Sequence, residues 1–352
     1  MELKFKIVVV GASAGGVEGL ESLVAGLPAD LPAAIFIVLH IRPDVVSNLP
    51  RILGTRGALP ALHARDGDEI RPGHIYIAPP DHHLLVDGSH MAVKKGPKEN
   101  RFRPSIDALF RSAAYAHGPR VIGVILSGAL DDGTSGLWSI KRFGGMTVVQ
   151  DPSEAAFDSM PRNALEQVDV DYTLPVKDIG SLVTRLVQST DIRAIHPPDE
   201  IAERTRIEIK VAASTNAFRK GILDHGELSL FTCPECHGAL VKITEGSIMR
   251  FRCHTGHGYT ASALLAGITE AVEPALWGVT RALEECVLLL DEMAQHFIEA
   301  GKPDEAEQFT SKARETQKRA AILQTLTIGH EHLSRDTLRK SDQDIEAEPN
   351  GD

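Results

Sequence analysis

Cysteine is scarce in this 352-residue chain: there are four, and three of them lie between Cys233 and Cys253. That count excludes a disulfide-built scaffold and fits a reducing cytoplasm. Positive charge is also short. Lys and Arg number 37 against 48 Asp and Glu, a formal net charge of -11. A general duplex-binding protein needs surplus cations to displace phosphate counterions, so no nucleic-acid partner is expected. No apolar run approaches the roughly 18 to 20 residues that cross a bilayer, so no membrane insertion is expected. The start has the basic-then-apolar order of a signal peptide. Its apolar stretch, Ile7 to Val10, is shorter than the roughly seven residues a signal requires, and it enters a glycine-rich turn. It reads as a first strand.

Hydrophobic residues make up 43% of the chain and charged residues 24%, the balance of a globular protein with room for about two domains. Residues 5–188 alternate short β-rich runs with helical patterns, which predicts an α/β fold, doubly wound around a mostly parallel sheet. Lys6–Val10, Ala33–His40, His74–Ala78, Val121–Leu126 and Met146–Gln150 read as strands. Asp87-Gly88 marks a tight hairpin, and Ser105 is placed to cap a helix starting at Ile106. A linker with a short surface strand over Arg206–Ala212 is expected across residues 191–228. From Pro274 onward the pattern is helical. Leu276, Val279, Leu283, Cys286, Leu290, Met293 and Phe297 step by three and four, with Cys286 in the seam. Gly301-Lys302-Pro303 breaks the helix; Ala306, Phe309, Ala313, Thr316, Ala320 and Leu323 continue the spacing, giving an antiparallel helical hairpin over 269–333. The acidic segment 334–352 reads as disordered.

Gly11-Ala12-Ser13-Ala14-Gly15-Gly16 lies between a strand and a helix and has three readings. It is a close-packing turn, a phosphate-binding loop, or a nucleophile turn of the form G-x-S-x-G. The order G-x-x-x-G-G fails the dinucleotide fingerprint, and the Gly-Lys-Ser/Thr of a P-loop is absent. Two further strand ends carry chemistry. One strand closes on His40, and another runs into Ser127-Gly128-Ala129-Leu130-Asp131-Asp132-Gly133. A histidine closing a strand can be purely structural, and paired aspartates before glycine can be a turn or a cap. If these strands neighbour the first, serine, histidine and carboxylate meet at one sheet edge, as acyl transfer requires. The order Ser, His, Asp differs from that of the α/β-hydrolases.

The stretches IVVVGASAGG, FIVLHIRP, GHIYIAPPDHH, NRFRPSIDALF, GVILSGALDDGTSG and FDSMPRNAL occur in order over residues 6–188. Together they resemble the catalytic domain of the chemotaxis-type protein-glutamate methylesterases, the CheB family. The resemblance implies a catalytic domain over 1–190 and hydrolysis of glutamate methyl esters in receptors, with deamidation of certain glutamines. It assigns Ser13 as nucleophile, His40 as base and Asp132, not Asp131, as the acid that orients it. It places the oxyanion donors at the backbone N–H groups of His40 and Ala129, and it requires no catalytic cofactor. Ala14 lacks the hydroxyl that some members carry beside the nucleophile, and Ala129 stands where well-known members have methionine. The chain starts at this domain, which implies no fused phosphoacceptor receiver and no phosphorylation control in cis. Methyltransferase and sensor-kinase modules are the implied partners, and a methylated receptor or signalling protein the implied substrate. Arg101, Arg103 and Arg162 fall in family motifs, either as the rim of the site or as a solvated basic loop. His82 and His83 read as structural or surface residues.

Cys233-Pro-Glu-Cys236 and Cys253-His254-Thr-Gly-His257 form C-x2-C followed by C-x3-H around a hairpin that turns at Glu245-Gly246. This is the layout of a zinc ribbon over 229–268, with Cys233, Cys236, Cys253 and His257 as ligands and His254 less well placed. So small a module buries little core, and a structural zinc would supply its folding energy. The alternative to an enzyme is a signalling scaffold that keeps the fold for binding and uses the zinc module for interaction.

Overall fold

The computed structural model describes residues 3–190, 195, 197–214 and 221–339. The chain divides into two compact units, Met1–Leu264 and Leu265–Asp352. The first begins with β1 (Lys6–Ala12), α1 (Gly16–Ala25), β2 (Ala33–Leu39), α2 (Leu49–Arg56), β3 (Ala61–His63) and β4 (His74–Ile77). The hairpin β5 (His83–Asp87) and β6 (His90–Lys94) follows, turning at Gly88 with φ 57°. Then come α3 (Ile106–His117), β7 (Val121–Ile125), α4 (Thr134–Arg142), β8 (Met146–Gln150), α5 (Ser159–Gln167), β9 (Tyr172–Leu174) and α6 (Val176–Gln188). Seven strands form one sheet in the order β3-β4-β2-β1-β7-β8-β9, and every pair in it is parallel.

The continuous apolar runs follow from a sheet covered on both faces. Ile7 and Val9 of β1 and Ala34, Phe36 and Val38 of β2 join a core with α3, α4 and α5. The alternate residues Val8 and Val10, with Ile35 and Ile37, join a second core with α1, α2 and α6. This is the expected doubly wound α/β architecture. Ser105 caps α3 by accepting the Ala108 N–H at 3.4 Å.

The strand expected over Arg206–Ala212 is instead part of a helix, α7 (Asp199–Ala213). Apolar alternation there is short, whereas Thr205, Ile207, Glu208, Val211 and Ala212 are buried at helical spacing behind an acidic first turn. Of the linker expected across 191–228, α7 occupies the middle, and residues 191–194, 196 and 215–220 lie outside the described residues. A four-stranded antiparallel sheet follows: β10 (Glu227–Thr232), β11 (Ala239–Glu245), β12 (Ile248–Cys253) and β13 (Gly258–Thr260). Its β11–β12 hairpin turns at Gly246, φ 63°. Ile248 joins the same core as α3 and α4.

Six buried charges sit where this sheet meets α3 and α7. Arg252 reaches Glu99 at 2.9 Å and Glu208 at 3.0 Å; Arg250 reaches Glu208 and Glu245, each at 2.8 Å; Arg111 reaches Glu99 at 3.1 Å. Burial pushes the Glu99 carboxyl up, but Arg111, Arg252 and Arg250 outweigh it and hold the group at about 2 against an ordinary 4.5. A carboxyl depressed on folding stabilises the native state above its unfolded value and loses that contribution as pH falls toward its folded value. Thermal stability should therefore drop as pH falls from about 4.5 toward 2. Glu99→Gln should flatten that acid limb; an unchanged pH profile of the melting temperature would contradict the assignment.

The chain continues through α8 (Ala261–Glu270). In the second unit α9 (Val272–Glu299) and α10 (Pro303–Ile328) form the expected hairpin, with Phe297 stacked on Phe309 at 5.1 Å. The α10 seam is as read. On α9 it runs through Leu276, Thr280, Leu283, Val287, Leu290, Ala294 and Phe297, and Val279, Cys286 and Met293 are exposed. The sequence satisfied either register. The structure puts the small Thr280 and Ala294 inward with Ala306, Ala313 and Ala320, so that the backbones can approach. Residues 335–339, expected in the disordered tail, are helical, with Ser334 accepting the Thr337 N–H; the tail from 340 onward lies outside the described residues.

Candidate active site

β1 pairs in parallel with β2 on one side and β7 on the other. In open α/β sheets the crevice beyond the carboxyl ends, where the strand order reverses, is the usual site position. Ser13 follows β1, His40 follows β2 and Asp132 follows β7, so the three side chains meet at that edge. The Ser13 turn is held by its own backbone: the Ser13 N–H donates to Ser127 O at 3.0 Å, and Gly16 N–H donates to Ser13 O at 2.9 Å. Gly15 caps α1 in the left-handed region, φ 66°. A Cβ at Gly128 would lie 2.9 Å from Ser13 Cβ and 2.2 Å from Met160 Cε, so only glycine lets this loop lie against the serine.

The Ser13 hydroxyl lies 3.2 Å from His40 Nδ1, and His40 Nε2 lies 2.9 Å from Asp132 Oδ2. Asp132 is fully buried and accepts from several donors at once. Oδ2 takes the Ile106 N–H at 2.7 Å; Oδ1 takes the Asn100 amide at 2.8 Å and the Ser105 hydroxyl at 3.0 Å. Burial raises this carboxyl, but the hydrogen bonds from His40, Asn100 and Ile106 win and hold it below the ordinary range. An ionised Asp132 fixes the proton on His40 Nε2, which leaves Nδ1 free to accept from Ser13. Phe102 stacks on the imidazole, 3.8 Å between centroids and 8° between planes. A second buried carboxyl, Asp107, shares the Asn100 amide at 2.8 Å. Burial and the neighbouring Asp132 charge push it up to about 8.

The structure thus brings together Ser13, His40 and Asp132. Asp131 points elsewhere and accepts the Thr260 hydroxyl at 2.7 Å. One expected oxyanion donor does not hold: the His40 N–H is taken up by Ala12 O at 3.1 Å in the ladder between β1 and β2. The Ala129 N–H has no hydrogen-bond partner among the described residues. Arg103 is tied to Asp81 at 2.6 Å and to Gly96 O at 2.7 Å, and Arg162 pairs with Asp158 one helical turn away. Arg101 is half-buried, with a left-handed backbone, φ 75°. His83 is buried, 2.8 Å from Pro97 O, and His82 lies 2.9 Å from Pro80 O, both structural. Sequence reasoning missed Asn100, Phe102 and Ser105 as partners of the site, although all three fall in the NRFRPS stretch. Nothing local in the sequence signalled Thr260.

A second cluster joins the four predicted ligands. Cys233, Cys236, Cys253 and His257 place one ligand atom each within 4.8 Å of one another. Cys236 and Cys253 sulfurs are 3.7 Å apart, and His257 Nδ1 is 3.6 Å from both Cys233 and Cys253. Tetrahedral zinc, with bonds of about 2.3 Å to sulfur and about 2.0 Å to nitrogen, requires separations of about 3.5 to 3.8 Å. The donor set therefore fits that metal. His254 is exposed and outside the cluster.

The sequence profile described as CheB methylesterase matches residues 8–183. A relative from Leptospira interrogans serogroup Icterohaemorrhagiae is 38% identical over 188 residues, which is 53% of this chain and 97% of its own length. A protein-glutamate methylesterase/protein-glutamine glutaminase of Thermotoga maritima is 35% identical over 186 residues, 52% of this chain and 54% of its own. The crystal structure of the Thermotoga maritima CheB methylesterase catalytic domain aligns at 34% identity and a TM-score of 0.51, covering 53% of this chain and 100% of that one. None of these matches accounts for the cysteine-bearing sheet or the helical hairpin. The sheet order, the strand-end residues and these likenesses agree, and the chain belongs to the CheB methylesterase family.

Proposed function

We propose that this protein hydrolyses methyl esters on glutamate side chains of a protein substrate, with glutamine deamidation as the parallel reaction of the same site. The observation that carries this reading is the hydrogen-bonded series Ser13–His40–Asp132 at 3.2 and 2.9 Å. Ser13 Oγ attacks the ester carbonyl while His40 Nδ1 takes its proton. Asp132 keeps the imidazole oriented and stabilises its cation. The proton passes from His40 to the departing methoxide, and methanol leaves an acyl-serine. Water, deprotonated by His40, then releases the glutamate carboxylate and regenerates Ser13. The Ala129 N–H is the donor proposed for the oxyanion. A methylated receptor or signalling protein is the proposed substrate, and the reaction that must supply it is a protein carboxyl methyl transfer.

Cys233, Cys236, Cys253 and His257 are proposed to hold zinc in a structural role. Four protein ligands complete a tetrahedron and leave no position for substrate.

Labelling with a fluorophosphonate tests the nucleophile. The wild type should be labelled, and Ser13→Ala and His40→Ala should not; equal labelling of all three would place the reactive group elsewhere. Gly128→Ala should lower kcat roughly a hundredfold, because the added methyl must displace Ser13 or Met160. An unchanged kcat in that variant would show that the close approach does not matter.

A further inference from the structure

The cysteine-bearing sheet does more than lie beside the catalytic half. Its last strand, β13, begins one residue after His257 and makes four hydrogen bonds into loops of the site, three to residues 98–100 and one to Asp131. Gly258 N–H donates to Lys98 O at 3.2 Å, and Gly258 O accepts the Asn100 N–H at 2.7 Å. The Thr260 N–H donates to Asn100 Oδ1 at 2.8 Å, and the Thr260 hydroxyl donates to Asp131 at 2.7 Å. Asn100 is itself in the left-handed region, φ 50°, and buried.

These bonds decide which way the Asn100 amide faces. With Oδ1 committed to the Thr260 N–H, Nδ2 is directed at Asp132 and Asp107, 2.8 Å from each. Reversed, the amide would set its NH2 against the Thr260 donor and its oxygen against the ionised Asp132, leaving buried groups unmatched. As oriented, Asn100 Nδ2 bridges the two buried carboxyl groups. The strand that carries Thr260 starts at the knuckle formed by Cys253 and His257, where Cys253 N–H donates to His257 O at 3.0 Å. All three residues of β13 pair with β12, and the knuckle closes the turn between the two strands, so a metal held there would tie down the connection that carries Thr260.

We propose that Thr260 is a positioning residue for the reaction: anchored by the Cys233/Cys236/Cys253/His257 metal site, it sets the Asn100 amide that holds Asp132, so that turnover at Ser13 depends on the metal. The effect travels through a chain of hydrogen bonds and touches no substrate. Partners of this kind typically change activity by roughly 10- to 100-fold when lost.

The proposal rests on the reading of Ser13 as nucleophile, and the test separates the two. The full chain is compared zinc-loaded, stripped by chelator and re-loaded, beside Asn100→Ala and Cys286→Ser, whose thiol is exposed on α9. The readouts are zinc content, kcat and KM for a small methyl ester, and the downfield proton resonance of His40 Nε2–H bonded to Asp132. Stripping should lower kcat roughly tenfold or more with KM little changed, shift or broaden the resonance, and be reversed by zinc. Asn100→Ala should keep its zinc yet show the lowered kcat and altered resonance, and Cys286→Ser should match wild type. A stripped but folded protein, or a zinc-loaded Asn100→Ala, that keeps both kcat and the resonance overturns the proposal. Should stripping unfold the chain, zinc-loaded His257→Cys, which keeps four donors but moves the start of β13, takes its place: a lowered kcat and a shifted resonance are expected, and wild-type values of both overturn the proposal. Absence of esterase activity in every state would sink the reading of Ser13, while the resonance would still report on the link from Asn100 to Asp132.

Discussion

Ser13→Ala should lower kcat for a glutamate methyl ester by roughly ten-thousand-fold or more while leaving the fold intact. The size follows from what the alanine removes. In the proposed mechanism the hydroxyl forms the acyl intermediate, and without it the remaining donors can only assist direct attack by water. The tolerance follows from the surroundings. Ser13 Oγ has His40 as its hydrogen-bond partner, and the turn around it is held by backbone bonds and by Gly15. Alanine keeps the Cβ that packs against Gly128, so the melting temperature should hold within a degree or two of wild type. His40→Ala should be similarly inactive, since effects within such a group are not additive. A Ser13→Ala protein with wild-type kcat would remove the nucleophile from the mechanism.

The largest expected loss of stability lies away from the chemistry, at Glu208. Its carboxylate accepts from Arg250 at 2.8 Å and Arg252 at 3.1 Å and lies 3.4 Å from Arg111 Nε, and all four side chains are buried. Burial pushes this carboxyl up, yet Arg111, Arg250 and Arg252 hold it well below its ordinary value. Glu208→Ala leaves three buried guanidinium groups facing only Glu99 and Glu245. Breaking a buried ion network at one partner typically costs about 3 to 5 kcal/mol. The urea midpoint should fall accordingly. Glu203→Ala, on the same helix but exposed and paired with Arg206, should leave the midpoint unmoved. Equal shifts in the two variants would show that α7 contributes through helix propensity and not through this network.

How much of this could be read from the chain alone depends on the range of the interactions. Strands β1, β2 and β7 are short apolar runs that need burial on both faces, and their ends are marked by Ser13, His40 and Asp132. Local pattern therefore located the sheet and the three side chains that meet at its edge. The cluster of Cys233, Cys236, Cys253 and His257 was legible for the same reason, since C-x2-C and C-x3-H are local spacings. Four features were not. Residues 206–212 alternate like a strand, and only the burial of Glu208 among arginines from α3 and β12 selects the helix. The α9 seam fitted two registers one residue apart, and the small residues of α10 choose between them. The His40 N–H looked available until its pairing with Ala12 O placed it in the ladder. Thr260 carries no motif at all; its role depends on a sheet folded back across 160 residues onto Asn100.

Removal of methyl groups from glutamate esters in a protein, through Ser13, is the activity proposed for this chain. The most direct test is methanol release from a protein enzymatically methylated on glutamate side chains, measured for wild type and Ser13→Ala. Release by wild type, with unmodified glutamate regenerated and with only background release by Ser13→Ala, is the predicted result. Labelling at Ser13 by a fluorophosphonate but no methanol from any methylated protein would contradict the substrate class. Methanol release that survives Ser13→Ala would contradict the mechanism.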